Sequence, residues 1–264
     1  VICLSARVIA VLSGKGGTGK TTITANLGIA LAGLGKKVLL IDADIAMANL
    51  SLLLGMQSSP ITLHDVLLGE SKIRDAIYDG PNGVHFIPSG LSLDTYKRVD
   101  SERLSNIISQ ISDSYDIILL DSAAGIEKNV LSAISAAQES LLVTMPTSPA
   151  IADALKARLV AQRLGSNIIG VVINFVMNES GEIPKQKILT MLEVPWIGSV
   201  PYDPEVRRSF MQDKVLPVIL KNPSAPASIE IRNIASRLVG AKTIESVVQK
   251  KGFFDMLFGI FKRK

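Results

Sequence analysis

Residues 13–22 read SGKGGTGKTT, and no other stretch limits so sharply what this chain can fold into. Gly14 to Thr21 match G-x-x-x-x-G-K-[ST] in full, after a strand candidate at Val8–Leu12 and before a helical pattern at Thr21–Leu34. Strand, glycine-rich turn and helix in that order make a phosphate cradle. The glycines let backbone N–H groups turn inward around oxyanions, and the helix N-terminus adds partial positive charge. Lys20 is expected to reach the β- and γ-phosphates of a nucleotide, and the Thr21 hydroxyl to bind Mg²⁺. A glycine-rich turn without a ligand is the competing reading, and the agreement of motif with context weighs against it. The motif needs only one lysine, so the second one, Lys15, raises a separate question.

Further apolar runs alternate with helical patterns. Strand candidates follow at Lys37–Asp42, Val84–Pro88, Tyr115–Asp121, Ser140–Met145, Ile168–Asn174 and Trp196–Val200. VLLID and DIILLD are near-continuous apolar runs, as in parallel strands buried on both faces. Helical patterns lie at Ser101–Ile111, Val130–Ala137, Ile151–Leu164 and Ile183–Leu192. The alternation predicts right-handed βαβ units in a single doubly wound, mostly parallel sheet with helices on both faces. A composition 47% hydrophobic and 20% charged over 264 residues supplies a sizeable core. Proline-rich Asn222–Ser228 reads as a loop before a last body helix, Ile229–Val239. Residues 1–240 are therefore expected to form one phosphate-loop domain, 241–249 a tether and 250–264 a separate amphipathic helix.

Two strands end in acids. Lys37–Asp42 delivers Asp42, with Asp44 two residues on, and Tyr115–Asp121 delivers Asp121. Ligands of doubly wound sheets bind outside the carboxyl ends of the strands, so all three acids can lie near the phosphates. Asp121, after IILL, is expected to hold Mg²⁺ through water, and Asp42 or Asp44 could polarise an attacking water. The competing reading of each is a helix cap or turn residue.

SGKGGTGKTT, then VLLIDADIAMANL, then LLDSAAG, resembles the deviant Walker A ATPases of the MinD/ParA group, over nearly the whole chain. The resemblance implies ATP as the nucleotide, with slow, partner-stimulated hydrolysis. It implies that Lys15 reaches across an ATP-bound homodimer to the phosphates held by the other subunit, stabilising developing charge as an arginine finger does. It places Asp44 at the acid that positions the hydrolytic water, Asp42 at a second acid near Mg²⁺, and Asn49 at an asparagine facing the partner subunit. Gly14, Lys15, Gly16, Gly17, Thr18, Gly19, Lys20, Thr21 and Thr22 then form the nucleotide-binding loop. Asn174 matches an asparagine that reads adenine, and Pro201-Tyr202-Asp203 a segment that lines the base. Asp121 to Gly125 departs from the usual D-x-P-A-G by Ala123, and Phe175 stands where a basic residue often follows Asn174.

The net charge of +4 sits in KKGFFDMLFGIFKRK, residues 250–264; the remainder holds 23 basic and 23 acidic residues and shows no overall basic excess for nucleic acid. Four of the seven phenylalanines lie in residues 253–264. On a helix, Phe253, Phe254, Leu257, Phe258 and Phe261 share one broad apolar arc with Met256 and Ile260, bracketed by Lys and Arg, a pattern that reads as lying in a membrane interface. A terminal helix docked on the body is the competing reading. The segment also resembles the membrane-targeting tail of MinD proteins. The expected partners are thus an anionic membrane surface, a second copy of the chain and an unidentified effector or activator. The expected location is the cytoplasm, peripheral at the inner face of the cell membrane.

No apolar run reaches the ~18 residues that span a bilayer. The apolar start is short and reads as no secretory signal. Cys3, the sole cysteine, forbids an intrachain disulfide or a cysteine metal site, and suits a reducing setting. His64 and His85 lack metal spacing and read as structural or surface residues, and Trp196 reads as core. Asp153, Lys156 and Arg158 read as a solvated helix face, with a partner surface, which the resemblance offers, as the competing reading. A ParA-like DNA partitioner would bind nucleic acid through surface Lys and Arg and need no phenylalanine-rich tail. A flagellum-placing relative of MinD would share both loop and tail.

Overall fold

The structure is a computed structural model and describes residues 6–44, 49–56, 59–90, 103–211 and 215–243. Eight strands form one sheet: β1 (Arg7–Leu12), β2 (Val38–Asp42), β3 (Tyr78–Asp79), β4 (His85–Ile87), β5 (Ile117–Asp121), β6 (Glu139–Thr144), β7 (Asn167–Val176) and β8 (Trp196–Pro201). Their order is β3-β4-β2-β5-β1-β6-β7-β8. Every neighbouring pair is parallel except β3 with β4.

The apolar runs are continuous because each strand feeds two cores. Val8, Ala10 and Leu12 of β1 pack into one layer, and Ile9 and Val11 into the other. The same period of two sends Leu39, Ile41, Ile118 and Leu120 one way and Val38, Leu40, Ile117 and Leu119 the other. Helices Lys128–Ala136, Ser148–Arg163 and Lys185–Leu192 cover the first face, and Lys20–Gly33 and Pro226–Leu238 the second. A Cβ on Gly28 would lie 2.5 Å from Leu40 Cδ2, so the helix after the glycine loop sits close enough to β2 that a side chain there would displace the Leu40 methyls. Strands β2, β4 and β5 lie on one side of β1 and β6 to β8 on the other, which makes the carboxyl end of β1 the switch point of the sheet.

All seven strand candidates are present within one or two residues of their expected bounds; β4 is shorter by one residue at each end, and β5 starts two residues later, at Ile117. The two-residue edge strand β3 had no sequence signal. The loop expected at Asn222–Ser228 is corrected: the helix begins at Pro226, because proline suits a first helical turn, whose N–H has no intrahelical partner. Trp196 is half-buried at the core margin rather than inside it, with Lys185 Nζ 4.4 Å and Arg237 Cζ 4.5 Å from its ring centre. His85 is structural, its Nδ1 2.8 Å from the Tyr115 hydroxyl, and His64 Nδ1 accepts from the Gly90 N–H at 2.7 Å. The final helix is followed by Gly240 with φ 67°. The tether beyond Thr243 and the expected membrane residues Phe253, Phe254, Leu257, Phe258 and Phe261 lie outside the described residues. Among the described residues no helix is long and apolar enough to cross a membrane.

Candidate nucleotide-binding site

The glycine loop leaves β1 at Ser13 and enters the helix Lys20–Gly33 at Gly19. Its glycines divide the work. Gly17 and Gly19 hold φ 80° and 84°, left-handed values that a side chain disfavours. Gly14 is needed for space: its Cβ would meet the Asp153 carbonyl carbon at 2.0 Å, where the helix Ser148–Arg163 abuts the loop. Around Gly16 and Gly17 a Cβ would meet nothing within 4 Å, so bare backbone faces an open cavity. That cavity, of about 400 Å³, is lined by Ser13, residues 16–22, Asp44, Asn49 and Ala124. The N–H groups of Lys20, Thr21 and Thr22, in the first helical turn, have no intrahelical acceptor.

Beneath the cavity lies a buried charge cluster. Lys20 Nζ donates to Asp121 Oδ1 at 2.8 Å, with the two side chains 7% and 1% exposed. The Thr24 hydroxyl lies 3.1 Å from the same Oδ1 and 3.0 Å from the Lys20 carbonyl. Asp42 is level with Asp121 in the β2–β5 register and fully buried. Its Oδ1 accepts from the Asp44 N–H at 3.2 Å, and its Oδ2 from the Asn49 and Leu50 N–H groups at 3.1 Å each. Asp42 thus holds the backbone of Asp44, Asn49 and Leu50 together. Burial, and then the neighbouring Asp121 charge, push its carboxyl up to about 8.

A second cavity, apolar and about 280 Å³, adjoins the first at Thr22. Asn174, Phe175, Pro201, Tyr202, Asp203 and Phe210 line it, with Val206 and Arg207 at one side. A register shift between Ile173 and Val176 interrupts the pairing of β7 with β8, and Phe175 there has φ 57°. The Phe175 and Tyr202 rings lie 6.4 Å apart at 32°, two walls of a slot. Asn174 Nδ2 donates to the Thr18 carbonyl at 2.8 Å and so braces the glycine loop. The Asp203 carboxylate is occupied by two helix starts, accepting from Glu205 N–H at 2.9 Å and Ala227 N–H at 3.1 Å.

Lys15 stands apart from these cavities. It is half-buried, its carbonyl accepts from the Ser13 hydroxyl at 3.1 Å, and among the described residues its ammonium makes no hydrogen bond or ion pair. Ala123 leaves the Asp121–Gly125 turn held from both ends: the Ser122 hydroxyl donates to the Val11 carbonyl at 2.8 Å, and the Gly125 N–H to the Ser13 carbonyl at 3.1 Å.

The residues fit a nucleotide with its cation. Thr18 Oγ1 is buried with no hydrogen-bond partner among the described residues, and Thr18 lines the same cavity as Lys20. Among the described residues no group of three or more His, Cys, Asp or Glu could hold a metal ion. Sequence reasoning missed Thr24, although it follows Lys20 by one helical turn and shares its face. It also missed Arg207 and Phe210, which no local pattern marks.

Residues 9–216 match the CobQ/CobB/MinD/ParA nucleotide-binding domain. The chain is 47% identical, over the full length of both, to an uncharacterised ATP-binding protein of Methanocaldococcus jannaschii. It superposes with TM-score 0.84 and 35% identity on the septum site-determining protein MinD of Pyrococcus horikoshii complexed with Mg-ADP, covering 88% of this chain and 96% of that one. It is similar too to the MinC:MinD cell division complex of Aquifex aeolicus, with TM-score 0.79 and 34% identity over 90% of this chain and 97% of that one.

Proposed function

Because the chain belongs to the MinD/ParA family of nucleotide-binding proteins, we propose that it works as a MinD-type ATPase. In this reading ATP closes a homodimer, the dimer holds an anionic membrane, and hydrolysis releases it, to place the division site or another cellular machine. The observation that carries the reading is the pair of adjoining cavities: one lined by bare loop backbone and Lys20, the other an apolar aromatic slot. The first suits phosphates and the second a base.

Phosphate oxygens entering the loop draw Lys20 away from Asp121, exchanging a carboxylate partner for the β- and γ-phosphates. Thr21, Asp42 and Asp121 would hold Mg²⁺, which neutralises charge on the phosphates when bound. Asp44, on the cavity wall, would orient the water that attacks the γ-phosphorus as the bond to the β–γ bridging oxygen breaks. Lys15, with no intrachain partner for its ammonium among the described residues, is available to a second subunit's phosphates. Asn174, Pro201 and Asp203 would frame adenine, with Phe175 and Tyr202 on its faces.

The phenylalanine-rich segment 250–264 supplies the membrane contact in this reading, with residues 1–240 as the motor and 241–249 as the tether. Each basic residue near an anionic surface contributes roughly 1 kcal/mol. Two such segments on one dimer raise avidity by ~10²–10⁴. A protein effector or activator is proposed by analogy with the MinC:MinD complex.

Co-sedimentation with anionic liposomes, in ATP and in ADP, tests the switch, using the full chain and a version ending at Gln249. Pelleting that needs both ATP and the segment after Gln249 is the expected result. Equal pelleting in both nucleotides would make that segment a plain anchor and refute the coupling. No pelleting, together with retention on DNA, would replace the membrane reading by DNA partitioning.

A further inference from the structure

We propose that Thr24 is a positioning residue for Asp121: its hydroxyl is the donor that takes over Asp121 Oδ1 when a nucleotide draws Lys20 away. The inference rests on the nucleotide reading above and adds a residue to it. Thr24 is fully buried, on the helix Lys20–Gly33, with its oxygen between two acceptors, the Lys20 carbonyl at 3.0 Å and Asp121 Oδ1 at 3.1 Å. A hydroxyl carries one proton, so it serves one of these fully at a time.

In the structure Asp121 Oδ1 already accepts from Lys20 Nζ at 2.8 Å. Once that ammonium turns to phosphate, a carboxylate 1% exposed would lose the direct partner of its Oδ1. The Thr24 hydroxyl is already within reach and needs only to rotate. The alternative acceptor, the Lys20 carbonyl, is one that the helix itself satisfies through the i→i−4 bond, so it does not hold the proton strongly. A hydroxyl-to-carboxylate bond is charge-assisted and stronger than one to a neutral carbonyl. Thr24 would thus keep Oδ1 engaged and Asp121 in its rotamer, so that the carboxylate stays in place to hold the cation. The exchange needs no movement of β5 and no change in backbone.

The test is ADP affinity measured by calorimetry with Mg²⁺ and with a chelator in its place, for the parent, Thr24→Val and Thr24→Ser. Valine keeps the shape and removes the donor; serine restores the donor. The parent is expected to gain affinity from Mg²⁺. In T24V that gain should shrink about tenfold or more while Mg²⁺-free affinity stays within about threefold. T24S should recover most of the gain. An undiminished gain in T24V, or an equal loss with and without Mg²⁺, would overturn the proposal and leave Thr24 as packing. Should T24V not fold, Thr24→Ala, which adds no bulk, carries the same comparison. No ADP binding by the folded parent in either buffer would instead refute the nucleotide reading itself.

Discussion

The two halves of the Lys20–Asp121 ion pair should differ sharply in what their loss costs the nucleotide-free protein. Lys20 lines the open phosphate cavity. Without Asp121 its ammonium can swing into that space and be hydrated, so Asp121→Asn should cost only about 1–2 kcal/mol. Asp121 has no such exit. It ends β5 at 1% exposure, register-paired with the buried Asp42, and without Lys20 it keeps the Thr24 hydroxyl but no cation. Lys20→Met preserves the stem and leaves a buried charge unpaired, a change that costs about 3–5 kcal/mol. At roughly 2–4 °C per kcal/mol for a domain near this size, K20M should melt about 6–20 °C below the parent, and D121N about 2–8 °C below. The double variant should be more stable than the sum of the singles implies, by about 2 kcal/mol, because neither orphan remains. Thermal and urea unfolding in nucleotide-free buffer give all four corners of the cycle. A D121N variant as unstable as K20M, or strictly additive losses, would refute the reasoning that the cavity hydrates one partner and not the other.

Two further outcomes follow from the same region. Asp42 has a carboxyl raised from 3.8 to about 8, so the folded state holds a proton that the unfolded state releases above 3.8. Its contribution is fully present below that value and is lost as pH rises toward 8, with a slope of up to about 1.4 kcal/mol per pH unit. Asp42→Asn should flatten the stability profile between those limits, measured by urea titration across the range. Gly14→Ala should destabilise the fold by about 3 kcal/mol or more, since its Cβ meets backbone at 2.0 Å, whereas Gly16→Ala, which meets nothing within 4 Å, should melt within a degree or two of the parent.

The sheet was legible because its strands are buried on both faces. VLLID and IILLD have no polar interruption, and the structure divides their alternate residues between two cores. Edges were less legible. β3 is two residues long and pairs antiparallel with β4, too little chain to carry a period. The start of the last helix was misjudged because Pro226 reads as a breaker, whereas at a first turn proline is accommodated. Trp196 looked like core from its apolar neighbours, but its indole N–H donates to the Ser199 hydroxyl at 3.0 Å and two cations cover its ring. Among the sites, the glycine loop was legible in full because backbone geometry, glycine placement and helix start are all local. Thr24 was legible in principle, through its one-turn spacing from Lys20, but the spacing does not reveal that β5 brings a carboxylate to that level.

The sequence by itself determined the loop, its lysines, the strand-end acids and the alternation that dictates a parallel sheet, because each depends on residues adjacent in the chain. Tertiary structure alone decided which acid faces which partner. Parallel pairing of β2 with β5 brings Asp42 and Asp121 to one level, and β5 beside β1 sets Asp121 beneath Lys20, 101 residues away in sequence. It also decided that Asn174 braces the loop through Thr18, and that Phe175 and Phe210 wall the slot beside Thr22. The reason is physical. Strand register and the twist of the sheet convert distant positions into neighbours at hydrogen-bond range, and no local propensity encodes that distance.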